Sequence, residues 1–104
     1  MIVVKYNRRD TVMSVKGHAG SAVKGRDLVC AAASILGLTL IAAAMDSREK
    51  YLPAVTQREG EIRVACRPKG RGTALCRRMM DTIFTGYELL SGQYPDFVRA
   101  QRED

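Results

Sequence analysis

His18 is the only histidine in the chain, and Cys30 follows it by twelve residues. An imidazole within reach of a thiol can take its proton, and the thiolate left behind is a nucleophile able to attack a carbonyl carbon. The neighbours suit that chemistry. His18 stands in Gly17-His18-Ala19-Gly20, and Cys30 closes Asp27-Leu28-Val29-Cys30 at the head of an apolar run. If that run is a helix, the unpaired amides and the positive end of the dipole at its start favour a thiolate. Glycines between the two residues leave the chain free to bring His18 to Cys30 and to close over a peptide. Each residue alone also has an ordinary explanation. A histidine in a turn is usually polar surface, and a cysteine among alanines is usually a small core residue.

Elements on either side must hold this pair. Residues 2–6 are a β-branched, alternating run, residues 7–10 a turn, and residues 11–16 the returning strand of a hairpin. Residues 17–26 contain Gly17, Gly20 and Gly25 and read as a long loop. A helix follows to about Met45, with Asp27 as its N-cap. Residues 51–57 are expected to be a strand, and Pro53 pushes it towards a sheet edge. After the turn at Arg58-Glu59-Gly60, residues 61–67 alternate, with Ile62, Val64 and Cys66 inward. A second helix is expected from a Thr73 cap, with Leu75, Met79, Ile83, Tyr87 and Leu90 on its apolar stripe and Gly92 and Pro95 as its stop. The tail from about Arg99 is polar and expected to fray. The sum is a single α+β domain over residues 1–104. Its order is ββαββα in two layers, with an antiparallel sheet and two helices.

Several residues near the pair have roles to fill. Asp27 caps the helix or, alternatively, orients His18. Backbone amides near Cys30 can hold an oxyanion. Ser34 lies one turn beyond Cys30 on the same helical face, where it can touch a substrate or bond a backbone carbonyl.

Composition narrows the classes. The chain has 104 residues, enough for one compact domain with a limited core, so a dimer that buries more apolar surface is expected. The net charge is +6, and Arg67, Lys69, Arg71, Arg77 and Arg78 form a basic cluster that can face solvent or touch RNA. A non-enzymatic, basic RNA- or ribosome-associated module is therefore the alternative to an enzyme. Residues 28–45 are apolar enough to raise the question of a membrane span. Their many alanines, the flanking Asp27 and Asp46 and the missing aromatic belt argue instead for a helix buried between protein layers. Met1-Ile-Val-Val-Lys-Tyr6 shows no export signal, and three cysteines then read as reduced thiols in the cytoplasm. No C-x-x-C pair supports a metal site, and residues 20–25 lack the Lys-Ser/Thr pair of a phosphate-binding loop, so no cofactor is expected.

The residues around the pair carry a resemblance. Gly17-His18-Ala19-Gly20, followed by Gly25-Arg26-Asp27-Leu28-Val29-Cys30-Ala31-Ala32-Ala33-Ser34, resembles the signature of the ribosomal-processing cysteine protease (Prp) family. That pattern is a G-H-A-G loop and then G-x-D-x-V-C-A-A-x-S at the same distance. The resemblance implies His18 as general base and Cys30 as nucleophile, with Gly17, Gly20, Asp27 and Ser34 in supporting or substrate-binding positions. It further implies a homodimeric bacterial enzyme. Such an enzyme removes the N-terminal extension of a large-subunit ribosomal protein, cutting after an aromatic residue. Lys24 departs from the pattern, since many relatives carry an aromatic residue there, and this bears on substrate contacts in the loop.

Overall fold

The structure, a computed structural model, describes residues 1–17 and 26–104. Five strands form one sheet in the order β3-β4-β2-β1-β5. β1 (Ile2–Asn7) and β2 (Val12–Lys16) are the expected antiparallel hairpin. β2 pairs on its other side with β4 (Glu61–Ala65), which pairs with β3 (Ala54–Arg58). Three helices complete the described chain: α1 (Arg26–Asp46), the single turn α2 (Arg48–Tyr51) and α3 (Arg71–Gln93). The α+β class holds, and the expected ββαββα order is kept with two additions, α2 after α1 and a fifth strand after α3. The expected long Gly-rich loop lies mostly outside the described residues.

The sheet differs from expectation at one edge. Residues expected to fray form β5 (Val98–Glu103), which runs parallel to β1 from Ile2↔Val98 to Asn7↔Glu103. The sheet is therefore mixed, not wholly antiparallel. α2 also takes Tyr51, the first residue of the expected third strand, and β3 begins only at Ala54.

Alternation puts one face of the sheet inside. Ile2, Val4, Tyr6, Met13, Val15, Val64 and Val98 are buried, and they join Val29, Ala33 and Leu40 of α1 and Met80, Phe84 and Tyr87 of α3 in one core. Ile83, Tyr87 and Leu90 of the expected α3 stripe are buried, and the stripe differs from expectation in its first half. Cys76, Met80 and Phe84 point inward, while Leu75 is 48% exposed. The helix begins at Arg71 after Gly70, not after a Thr73 cap, and it runs through Gly92 until the Tyr94 N–H closes on the Leu90 carbonyl. Polar contacts fix α3 against the first hairpin. The Tyr6 hydroxyl donates to Asp81 at 2.7 Å, and the Arg8 guanidinium binds the same carboxylate at 3.1 Å. Burial, then these Asp81 contacts, push the Tyr6 phenol far above its ordinary range. Arg77 donates to the carbonyls of Arg8 and Arg9, so it is a structural residue and not a free member of the basic cluster.

α1 is less enclosed than its sequence suggests. It is long and apolar enough to cross a membrane by length and composition, and 28% of that stretch is buried. One side packs on α3 and the sheet. Leu28, Ile35, Leu38 and Met45 are exposed, at 65%, 61%, 45% and 40%. Their spacing of three and seven residues puts them on one helical stripe.

Candidate active site

A cleft of about 320 Å³ opens where α1 passes over the end of the sheet. Cys30, Ala33, Ser34 and Leu38 supply its helical wall. Ile2, Val15 and Gly17 come from the first hairpin, and Gln57, Arg58, Gly60, Glu61 and Ile62 from the β3–β4 hairpin. Three residues named from the sequence, Gly17, Cys30 and Ser34, thus meet at one cleft. His18 and Gly20 lie outside the described residues.

Helix position explains what Cys30 can do. α1 is described from Arg26, so Asp27 is its second residue and not the N-cap expected. Acidic residues are favoured in that first turn because it carries the positive end of the helix. Cys30 is the fifth residue of α1. The first amides of a helix have no intrahelical acceptor, and helical side chains lean towards the N-terminus. The Cys30 side chain therefore leans towards the turn where free amides gather.

Close packing sets where this helix lies. A Cβ on Gly37 would stand 2.6 Å from the Ile62 Cδ1 and 3.2 Å from the Tyr87 hydroxyl, so α1 lies close against β4 and α3 here and a side chain would need the Ile62 end to shift. One turn before Gly37, the buried Tyr87 hydroxyl donates to the Ala33 carbonyl at 2.8 Å. Ala33 sits between Cys30 and Ser34, so that bond anchors the helical wall of the cleft to α3. Burial pushes the Tyr87 phenol well above its ordinary range and keeps it a donor.

The opposite wall is charged and clamped. Glu61 binds Arg58 at 2.6 Å and Lys16 at 3.3 Å. Hydrogen bonds, first from Arg58 and then from Lys16, hold its carboxyl below the usual carboxylate range. The Gly17 N–H donates to the Gly60 carbonyl at 3.0 Å. The root of the segment that continues into His18 is thus tied to the β3–β4 turn. Sequence reasoning did not find this wall, because nothing in residues 57–62 signals that a fold will bring them to Cys30.

The other cysteines are placed for packing. Cys66 is 3% exposed and Cys76 is fully buried. A hydrogen bond with Cys66, and burial, raise the Cys76 thiol well above the ordinary thiol range, which keeps it protonated. Among the described residues no three His, Cys, Asp or Glu side chains gather as a metal site would need.

A family model described as cysteine protease Prp matches residues 1–99. No curated protein matches the chain. Two crystal structures of an essential ribosomal processing protease Prp from S. aureus are similar, one with a covalently linked product peptide and one with a substrate peptide. Each has a TM-score of 0.80 and 19% identity, covering 99% of this chain and 100% of that chain. The crystal structure of SMU.848 from Streptococcus mutans has a TM-score of 0.69 and 21% identity, covering 97% of this chain and 90% of that one. At such identities the likeness is one of fold.

Proposed function

The chain belongs to the family of the cysteine protease Prp, matched over residues 1–99, and from that premise we propose that it removes the N-terminal extension of a large-subunit ribosomal protein in the cytoplasm. The observation that carries this reading is Cys30 lining a cleft near the start of α1. In the proposed reaction His18 takes the Cys30 proton and the thiolate attacks the scissile carbonyl. A C–S bond forms, and the oxyanion is held by backbone amides at the start of α1. Collapse breaks the C–N bond, the imidazolium protonates the leaving amine, and water then hydrolyses the thioester with His18 as base. Ile2, Val15, Ala33, Leu38 and Ile62 give the cleft an apolar side suited to an aromatic residue before the cut. In this reading Ser34, on the same wall, touches the peptide, and Asp27 supports the helix start. Gly17 and Gly20 would shape the loop that carries His18.

Mixing the protein with the extended ribosomal protein of the same organism should yield a product shortened at its N-terminus, read by intact mass. An unchanged mass after prolonged incubation would exclude this substrate.

We further propose a homodimer built on the α1 stripe of Leu28, Ile35, Leu38 and Met45. Leaving four large apolar side chains in water on one helix is unfavourable, and pairing the stripe with its own copy removes them. Light scattering should return twice the 11.5 kDa chain mass, and Ile35→Asp should halve it. A monomeric mass for the unaltered protein at high micromolar concentration overturns the dimer.

A further inference from the structure

We propose that the open face of the sheet, opposite the helices and meeting the cleft only at Arg58 and Glu61, is a docking surface for the phosphate backbone of double-helical RNA. Strand register sets its pattern. One row crosses all five strands as Thr56, Arg63, Ser14, Lys5 and Gln101. The next row, at the cleft end, is Arg58, Glu61, Lys16, Val3 and Arg99. A third holds Ala54, Ala65, Val12, Asn7 and Glu103. α1 and α3 pack on the other face, and Lys5, Lys16, Arg58, Arg63, Arg99 and Gln101 are exposed.

Charge on this face favours a polyanion. Five cations stand against the acids Glu61 and Glu103. Glu61 is taken up by Arg58 and Lys16. Lys5, Arg63 and Arg99 form no ion pair among the described residues, so their charge is available to a ligand. Ser14, Thr56, Asn7 and Gln101 add hydroxyl and amide groups of the kind that bond phosphate and sugar oxygens.

What the face lacks narrows the partner further. None of its three rows contains an aromatic residue. Single-stranded nucleic acid is gripped by stacking bases on aromatic rings, so this surface is poorly suited to it. A duplex presents its phosphates and 2′-hydroxyls outward and needs no stacking platform. With strands about 4.8 Å apart, Lys5 and Arg63 stand roughly 10 Å from each other across the sheet, so the cations address separate phosphates. In the basic cluster after β4, Arg77 is bound to backbone carbonyls, and the exposed Arg67, Lys69, Arg71 and Arg78 stand on a loop and the start of α3, not in strand rows.

The test measures fluorescence anisotropy of a labelled RNA duplex of about 20 base pairs from about 50 to 200 mM salt. It compares the wild-type chain, the Lys5→Glu/Arg63→Glu/Arg99→Glu variant, and Arg67→Glu/Lys69→Glu/Arg71→Glu as a control with the same change in net charge. The first variant should bind at least about tenfold more weakly. Its salt dependence, log Kd against log salt, should fall by about 2.7, since each phosphate contact contributes roughly 0.9. The control should lose less than about threefold. The milder Lys5→Gln/Arg63→Gln/Arg99→Gln variant, checked by its thermal transition, separates lost contacts from lost folding. Equal losses in the two charge-reversal variants, no saturable binding by the wild type, or tighter binding to a single strand, an acidic peptide or anionic vesicles would each overturn the proposal.

Discussion

Cys30→Ala is expected to lower cleavage of the extended ribosomal protein by roughly a thousandfold or more, to the background rate, while leaving folding nearly unchanged. The two halves of this expectation have separate physical origins. Covalent catalysis needs the Sγ atom itself, and alanine offers no substitute. Stability needs little from that atom, because Cys30 is only half-buried and lines a cleft whose surface is already open. Removing one sulfur there should cost about 1 kcal/mol or less. Cys66 and Cys76 cannot stand in, being buried and, for Cys76, held protonated. Alkylation of the native protein checks the same point. One equivalent of an iodoacetamide-type reagent should label Cys30 first, and lost activity should track that label. A Cys30→Ala protein that cuts at the wild-type rate, or inactivation that follows Cys66 or Cys76 instead, ends the mechanism.

Much of the molecule was legible in one dimension wherever a local pattern matched a local cause. The β1–β2 hairpin followed from alternation and a polar turn. α1 followed from its unbroken apolar run, and Val64 and Cys66 from inward alternation. The misreadings share a different property. β5 carries Val98 and Ala100 inward and four polar residues elsewhere, so its hydrophobic signal is faint. Its partner, β1, is almost a chain length away, and parallel pairing with so distant a strand leaves no local trace. Charged residues on a strand with only one neighbour also suit an exposed edge. For α3, two stripes fit three- and four-residue spacing equally well, and the shape of the sheet decided for Cys76, Met80 and Phe84 over Leu75. The cleft shows the same division. Cys30 and Ser34 were readable from one helix, but the wall of Arg58, Gly60 and Glu61 arises only because β4 pairs with β2.

Gly17→Ala should be the most damaging change outside the nucleophile, and its reason is backbone geometry, not chemistry. Gly17 has φ of +118°, a conformation that side chains rarely adopt. A Cβ there would collide with the Met1 carbonyl oxygen, a backbone atom at the start of β1 that cannot rotate away. Relief would require moving Gly17 off the Gly60 carbonyl, or displacing Met1 at the start of β1. Either shift disturbs the stem from which His18 continues, along with the Lys16–Glu61 pair beside it. The expected loss is about 2–4 kcal/mol of unfolding free energy, read as a lower urea midpoint, the range for a strained backbone position with a steric clash. At temperatures where the variant stays folded, kcat/KM should fall by roughly tenfold or more, because a misplaced general base weakens proton transfer. Gly92→Ala supplies the contrast. A Cβ at Gly92 meets nothing within 4 Å, and alanine favours a helix, so that variant should match the wild type in activity and gain up to about 1 kcal/mol. If Gly17→Ala instead unfolds at the wild-type midpoint and cuts at the wild-type rate, the stem is not what positions the base, and the clamp between Gly17 and Gly60 has no catalytic role.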